Sequence, residues 1–337
     1  LRILLTGAAG FIGFHIASAL LEKGHEVIGL DNFNGYYDPS LKRARAERLS
    51  RFDGFSLVEC SLEDRAAMEA VFERDAYDRV IHMAAQAGVR HSLDQPHLYA
   101  ASNLTGFLHV LEGCRLQKTP HLIFASSSSV YGGNTKLPFS VRDNVDHPLS
   151  LYAATKKANE LMAHSYAHLY RLPVTGLRFF TAYGPWGRPD MAYFKFVRAI
   201  LAGEPIDVYN EGKSSRDFTY VDDMVAQILA LLDRMPQPAA DRETLDADPS
   251  RSTAPYRIFN VGNNFPVGLL DFIGEIEEAL GRKAKLNMMP MQAGDVENTF
   301  ADIDELVAET GFAPKTTLRE GVGRFVEWYR GFYGEAG

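Results

Sequence analysis

The sequence predicts an α/β protein, a doubly wound parallel sheet joined to a smaller C-terminal α/β unit. Three observations carry this. An apolar strand, a glycine-rich turn and an amphipathic helix follow one another at the start of the chain. Short β-rich runs then alternate with helical patterns as far as residue 181, the order that builds parallel sheets. Beyond it the alternation breaks at a Pro- and Gly-bearing aromatic loop, and shorter elements follow.

Bulk composition narrows the classes of function. A chain of 337 residues fits one large or two modest domains. The net charge of -8, with no Lys/Arg block, gives nucleic-acid binding little support. Two cysteines, Cys60 and Cys114, argue against a disulfide framework or a cysteine-rich zinc site, and no HExxH or Cys/His cluster calls for a metal. No apolar run approaches the roughly 18 residues of a membrane span. No signal peptide is recognised, so a cytoplasmic, reducing setting is expected.

Taken in order, Arg2–Thr6 reads as a buried strand, and GAAGFIG follows at 7–13. Gly7 allows a tight turn, Gly10 lets the backbone approach a pyrophosphate, and Gly13 lets the next helix pack closely. Phe11 and Ile12 open that helix, whose N-terminus faces the anion. Asp31 closes the second strand, 26–30, about 20 residues on. A carboxylate there accepts hydrogen bonds from an adenosine ribose and repels a 2′-phosphate. The cofactor expected is therefore NAD rather than NADP, on a Rossmann-type sheet, with Asn32 beside the acid.

Residues 40–49 read as a basic, exposed helix, with Arg43 and Arg45 as solvated surface. A third strand at 55–59 ends on Cys60, Ser61 and Leu62, where an adenine could rest. After a helix at 64–74, a fourth strand at 79–83 carries His82, read as a hydrogen-bonded core histidine. Ala84 and Ala85 follow it and let a dinucleotide come close. Residues 96–117 read as one long helix. Asn103 within it either makes a local hydrogen bond or supports the nicotinamide side. The strand at 121–125 delivers Ser126–Ser129 to its C-terminal end, where open α/β sheets place ligands.

The next helix starts near Tyr152 and runs to about Tyr170. Tyr152 and Lys156 lie four apart and share one face. The ammonium favours phenolate and pulls the phenol down from its ordinary value of about 10. A tyrosine so tuned accepts a proton from an alcohol near neutral pH, and Ser127 would bridge the alcohol and Tyr152. Taken alone, a Tyr and Lys so spaced could equally be helix surface. The nucleotide loop upstream gives them weight.

After the strand at 173–180 come the loop 182–190, a helix at 191–202 and a short strand at 206–209. Ser215–Asp223 leads into a helix ending near Arg234, which Asp222 or Asp223 could cap. Residues 236–255 read as an exposed, mobile surface insertion. A strand at 257–262 returns to the fold. A helix at 269–280 and a strand at 285–288 follow, and Asp295 and Asp302 bracket the last loop before two C-terminal helices. The expected division is 1–181 for the nucleotide, with returning segments near 217–235 and 256–262, and 182–337 mainly for the substrate.

GAAGFIG, Asp31-Asn32, Asn103, SSSSVYG at 126–132 and YAATK at 152–156 together resemble the extended short-chain dehydrogenase/reductases, and the 25-residue separation of Ser127 and Tyr152 fits their active-site pattern. DNFNGYYD, HMAAQAGVR at 82–90, FFTAYGPWGRPDMA at 179–192, SRDFTYVDD and MQAGDV resemble the UDP-glucuronate 4-epimerases among them. The resemblance implies a tightly held NAD and a UDP-sugar whose C4 is inverted through a 4-keto intermediate, interconverting UDP-glucuronate and UDP-galacturonate. Tyr152 would be the base and acid, Lys156 would tune it and bind the nicotinamide ribose, and Ser127 would orient the sugar hydroxyl. Ser128, Ser129, Thr181 and Arg188 would hold the uronate carboxylate. Arg216 and Asp295 would contact diphosphate or uridine ribose, and Tyr209 would stack near uracil. A homodimer through the helices around 97–117 and 151–170 is also implied.

Two departures stand out. Cys60-Ser61 replaces the family's Gly-Asp, whose acid meets the adenine amine, and Gln292 stands where glucose-type epimerases carry arginine. UDP-glucose 4-epimerase, UDP-glucuronate decarboxylase, a one-way reductase and a catalytically silent NAD-binding scaffold stay open as alternatives. The decarboxylases and dehydratases rank lower because Ser128 and Ser129 stand where they would place an acid.

Overall fold

Strand by strand, the computed structural model, which describes residues 1–239, 248–291 and 296–334, follows the alternation read from the sequence. The first six strands are β1 (Arg2–Thr6), β2 (Glu26–Asp31), β3 (Phe55–Glu59), β4 (Arg79–His82), β5 (Leu122–Ser127) and β6 (Val174–Phe179). Then come β7 (Thr181–Tyr183), β8 (Pro205–Val208), β9 (Ser215–Tyr220), β10 (Tyr256–Val261), β11 (Pro266–Gly268) and β12 (Lys285–Met288). Seven of them form one parallel sheet in the order β10-β6-β5-β4-β1-β2-β3. The chain winds outward from β1 through β2 and β3, then returns past β1 to β4. That reversal is the switch point at which doubly wound sheets bind ligands.

Period-two alternation sends neighbouring residues of β1 into opposite layers. Ile3 and Leu5 join Phe14, Ile16 and Leu20 of helix Phe11–Glu22 and Met224 and Ile228 of helix Val221–Ala230. Leu4 joins Phe107 and Leu111 of helix Gly106–Gln117 and Ala163 and Ala167 of helix Leu151–Tyr170. With both faces covered, β4 and β5 are buried throughout. A third core, with Phe218 stacked on Phe272 at 4.0 Å, sits under the smaller sheets β11-β9-β7 and β12-β8.

Four expectations change. The helix expected at 96–117 is a short turn Pro96–Tyr99, a π-helical stretch Ala100–Thr105 and an α-helix Gly106–Gln117. Arg45 is fully buried rather than solvated; it donates to Ala9 O, Tyr37 Oη, Trp186 O and Gly187 O, so its charge is spread over four acceptors. Arg43 does stay exposed, paired with Glu59. Neither Asp222 nor Asp223 caps helix Val221–Ala230; the Asp223 carboxylate instead accepts from the N–H groups of Lys315 and Thr316.

The exposed insertion expected at 236–255 does not hold for its last part, while 240–247 lie outside the described residues. Asp248, Ser250, Ser252 and Ala254 are buried. Asp248 accepts from the backbone and hydroxyl of Ser250 and faces Arg251 and Arg257, so these polar groups satisfy one another. His82 is buried as expected, sharing a 2.8 Å hydrogen bond with Thr6, and burial pushes its imidazole down to about 3. Among the described residues, no helix is long and apolar enough to cross a membrane, and no group of three acidic, His or Cys side chains could hold a metal.

Candidate functional site

A cavity of about 890 Å³ opens at the C-terminal ends of β1, β2, β4, β5 and β6. The turn after β1 forms its floor. Gly7 has φ +73°, and a Cβ there would stand 2.8 Å from Ala84 N. A Cβ on Gly13 would stand 2.1 Å from Gly7 O, so the helix can press onto the turn only without a side chain. No side chain caps that helix at Gly10, and Gly10, Phe11, Ile12 and Gly13 line the cavity. The helix thus turns N–H donors toward any anion bound there.

Asp31, at the end of β2, is buried and accepts from Ala9 N, Phe33 N and the Lys42 ammonium at 3.0 Å. Lys42 escaped the sequence reading because its helix looked exposed. Asn32, Leu62, Ala84 and Ala85 also line the cavity. Ser61 does not, since its hydroxyl accepts from Asn32 Nδ2, and Cys60 and Glu63 take the wall instead. Asn103 also lies behind the wall. The π-helical turn brings it inward, where it exchanges hydrogen bonds with the backbone of Gln86 at 2.8 and 3.1 Å and donates to Thr155 Oγ1. It therefore acts through the loop after β4 and the Tyr152 helix.

Ser150 caps helix Leu151–Tyr170 by accepting from Ala153 N, which fixes Tyr152 in the first turn. The Tyr152 phenol lies within reach of Ser127 and meets Tyr99 edge-on at 6.1 Å. Burial pushes this phenol up, opposed by the Ser127 hydrogen bond and by the charge of Arg188. The expectation that Lys156 draws it down is thus corrected. Burial penalises phenolate most, and the cation that acts against it is Arg188, from the loop after β7, rather than the helix neighbour. Lys156 is itself buried, with no hydrogen-bond partner for Nζ among the described residues. Burial pushes it down to about 8, against the Glu160 carboxylate, which raises it.

Glu160 was not singled out from the sequence, although it lies four residues beyond Lys156. It is buried and accepts from Arg178 at 2.9 and 3.0 Å and from Ser126 at 2.6 Å. Strand β5, strand β6 and the Tyr152 helix are thereby tied together behind Ser127.

The same cavity is lined by Thr181, Arg188, Asp190, Tyr209 and Arg216 together with Ser127, Ser128 and Ser129. Arg188 is held bidentately by Asp190, Nε to Oδ1 at 3.0 Å and Nη2 to Oδ2 at 2.5 Å. Tyr36 donates its hydroxyl to the same carboxylate at 3.2 Å. Arg90 stands over the Tyr209 ring at 5.4 Å, and Arg216 donates to the carbonyls of Ser215 and Glu297. Asp295 and Gln292 lie outside the described residues.

A glycine turn, a buried acid and a serine–tyrosine–lysine set around one cavity invite comparison with known proteins. The model of the NAD dependent epimerase/dehydratase family matches residues 3–258. The chain belongs to that family. A probable UDP-glucuronate 4-epimerase of Rhizobium meliloti (strain 1021) is 52% identical over 331 residues, 98% of this chain and 97% of that one. UDP-glucuronate 4-epimerase 3 of Arabidopsis thaliana is 49% identical over 336 residues, 98% of this chain and 77% of that one. Among solved structures, UDP-glucuronic acid 4-epimerase from Bacillus cereus in complex with UDP-glucuronic acid and NAD matches with TM-score 0.88 at 29% identity, covering 99% of this chain and 100% of that one. A UDP-glucose 4-epimerase from Thermotoga maritima reaches 0.85 at 29% identity, covering 99% and 100%. Backbone likeness therefore separates the two activities poorly, and the sequence relatives carry the distinction.

Proposed function

We infer that this family member is an NAD-dependent UDP-glucuronate 4-epimerase, interconverting UDP-glucuronate and UDP-galacturonate through a 4-keto sugar. The observation that carries the reading is Arg188, with Ser128, Ser129 and Thr181, lining the same cavity as Tyr152. A guanidinium among hydroxyls suits a carboxylate on the sugar.

The residues present fit NAD. The glycine turn leaves room and N–H donors for a pyrophosphate, Asp31 ends the strand beside it, and the Lys156 ammonium has no protein partner among the described residues. When bound, NAD supplies reversible hydride acceptance at its nicotinamide ring. Gly7, Gly10, Phe11, Ile12 and Gly13 would cradle the diphosphate, Asp31 and Asn32 the adenosine ribose, and Leu62 with Cys60 the adenine. Ser61 already serves Asn32. Ala84 and Ala85 would flank the dinucleotide, and Asn103 would hold the adjoining loop.

Tyr152 takes the proton from the sugar 4-hydroxyl and returns it after the keto sugar turns over. Ser127 keeps that hydroxyl and the phenol in one hydrogen-bond chain. Arg188 and the hydroxyls hold the carboxylate so that the C5–C6 bond stays away from the perpendicular to the ketone plane, where carbon dioxide would leave. Arg216 and Tyr209, with Asp295, would hold the UDP moiety. In this reading 1–181 with 217–235 and 256–262 serve the cofactor, and 182–337 mainly the UDP-sugar.

The protein works as a homodimer in this proposal. Helices Gly106–Gln117 and Leu151–Tyr170 leave Leu108, Leu116, Leu161, Leu169 and Tyr170 exposed, apolar surface that a second copy would cover. Both cysteines are free, which suits a cytoplasmic setting. Purified protein incubated separately with UDP-glucuronate and UDP-glucose, with products read by NMR, tests the activity. Inversion at C4 with C6 retained is expected for the uronate. Turnover of UDP-glucose alone, or loss of C6 as the main reaction, would refute it.

A further inference from the structure

Arg188 is not free to meet a substrate from every side. A guanidinium has five N–H groups and two edges that can grip a carboxylate, one made by Nε and Nη2 and one by Nη1 and Nη2. Asp190 fills the first edge with both its oxygens. Among the described residues no second carboxylate meets Arg188, and the Tyr36 hydroxyl lies within hydrogen-bonding reach of the guanidinium. Asp190 is fixed in turn by the Tyr36 hydroxyl, which comes from the loop after β2. The Arg188 guanidinium also lies 5.9 Å from the centre of the Tyr36 ring. All three side chains line the cavity.

We propose that Asp190 is a specificity-determining positioning residue, which clamps one edge of Arg188 so that the other is presented, in a fixed plane, to the carboxylate of a uronate. This rests on the function proposed above. Burial works to raise the Asp190 carboxyl, and the charge and hydrogen bonds of Arg188 outweigh it, so the clamp stays ionised at neutral pH. With its partner fixed, Arg188 holds the substrate carboxylate in one orientation. With it loose, the 4-keto uronate can turn its carboxylate into the alignment that decarboxylates. The C5–C6 bond then breaks, its electron pair passes into an enolate on the C4 oxygen, carbon dioxide leaves, and C5 later takes a proton.

The alternative use of the same geometry has the opposite sign. Asp190 could act as an internal competitor that a substrate carboxylate must displace. The NAD-loaded full chain, its Asp190→Asn form and its Tyr36→Phe form separate the two. Calorimetric titration gives Kd for UDP-glucuronate and UDP-glucose, and product NMR gives the decarboxylated fraction. Asp190→Asn should weaken UDP-glucuronate binding about tenfold, the scale of one lost charge-assisted contact. UDP-glucose should change by less than about twofold on the same scale, and the decarboxylated fraction should rise. Tyr36→Phe, which removes a donor and no charge, should move the same ratio in the same direction by less. Tighter uronate binding in Asp190→Asn would overturn the proposal in favour of competition. Equal weakening for both sugars would reduce Asp190 to a fold element. If Asp190→Asn fails to hold NAD, Tyr36→Phe decides, and an unchanged sugar ratio there overturns the proposal. A wild-type protein that prefers UDP-glucose would instead remove the function reading itself.

Discussion

Glu160→Gln should loosen the fold and shift the pH response of turnover together. The carboxylate is buried and accepts three hydrogen bonds, two from Arg178 and one from Ser126. Glutamine keeps one acceptor oxygen and turns an amide toward a buried guanidinium. Breaking a buried pair from one side costs about 3–5 kcal/mol, because the remaining charge stays unpaired. For 337 residues, at about 2.1 cal/mol/K of unfolding entropy per residue, that is a drop in Tm of roughly 4–7 °C.

The second effect runs through Lys156, whose folded-state value of about 8 lies below its ordinary 10.5. Its burial as an ammonium penalises folding below about pH 8, and the penalty fades as the pH rises toward 10.5. Activity moves the other way, since the ammonium is lost above about pH 8, so kcat/KM should fall on that alkaline limb. Glu160 raises the Lys156 value, so its neutralisation should move the limb to lower pH. Calorimetric melting and a pH–rate profile read both. The double variant Glu160→Leu with Arg178→Met should recover part of the Tm, since the Arg178 charge is no longer left without its carboxylate. An unchanged Tm and an unmoved limb in Glu160→Gln would refute the reasoning.

Tyr152→Phe should retain the fold and bound NAD while turnover falls by about 10²–10⁴, the scale of a lost general acid–base group; undiminished turnover would remove Tyr152 from the proton transfer. Gly13→Ala should abolish cofactor retention, because its Cβ would lie 2.1 Å from Gly7 O; NAD released from the denatured protein measures it, and normal content would contradict the cradle. Leu116→Lys with Leu161→Lys should shift light-scattering mass from two copies to one at unchanged Tm, and an unchanged dimer would locate the interface elsewhere.

The glycine turn, Asp31 and the Ser127/Tyr152/Lys156 set were legible because each rests on local spacing around a strand end. What escaped depends on contacts distant in sequence. Lys42 and Arg45 looked like one face of a solvated helix until Asp31 and the carbonyls at 186–187 came against them. The electrostatic state of Tyr152 was misjudged for the same reason. Helix spacing exposes Lys156 as a neighbour, but neither the burial of the phenol nor the reach of Arg188 can be read from a one-dimensional pattern. Asn103 shows the converse case. Its polarity inside a helical stretch was visible, whereas the π-helical turn that aims it at Gln86 was not.

Arg45 joins the carbonyl of Ala9, within the glycine turn, to those of Trp186 and Gly187, immediately before Arg188. The nucleotide turn and the substrate loop therefore share one fastener, supplied by the helix whose Lys42 also holds Asp31. Chimaeras that splice two relatives near residue 181 should work only when position 45 and the 186–187 loop come from the same parent.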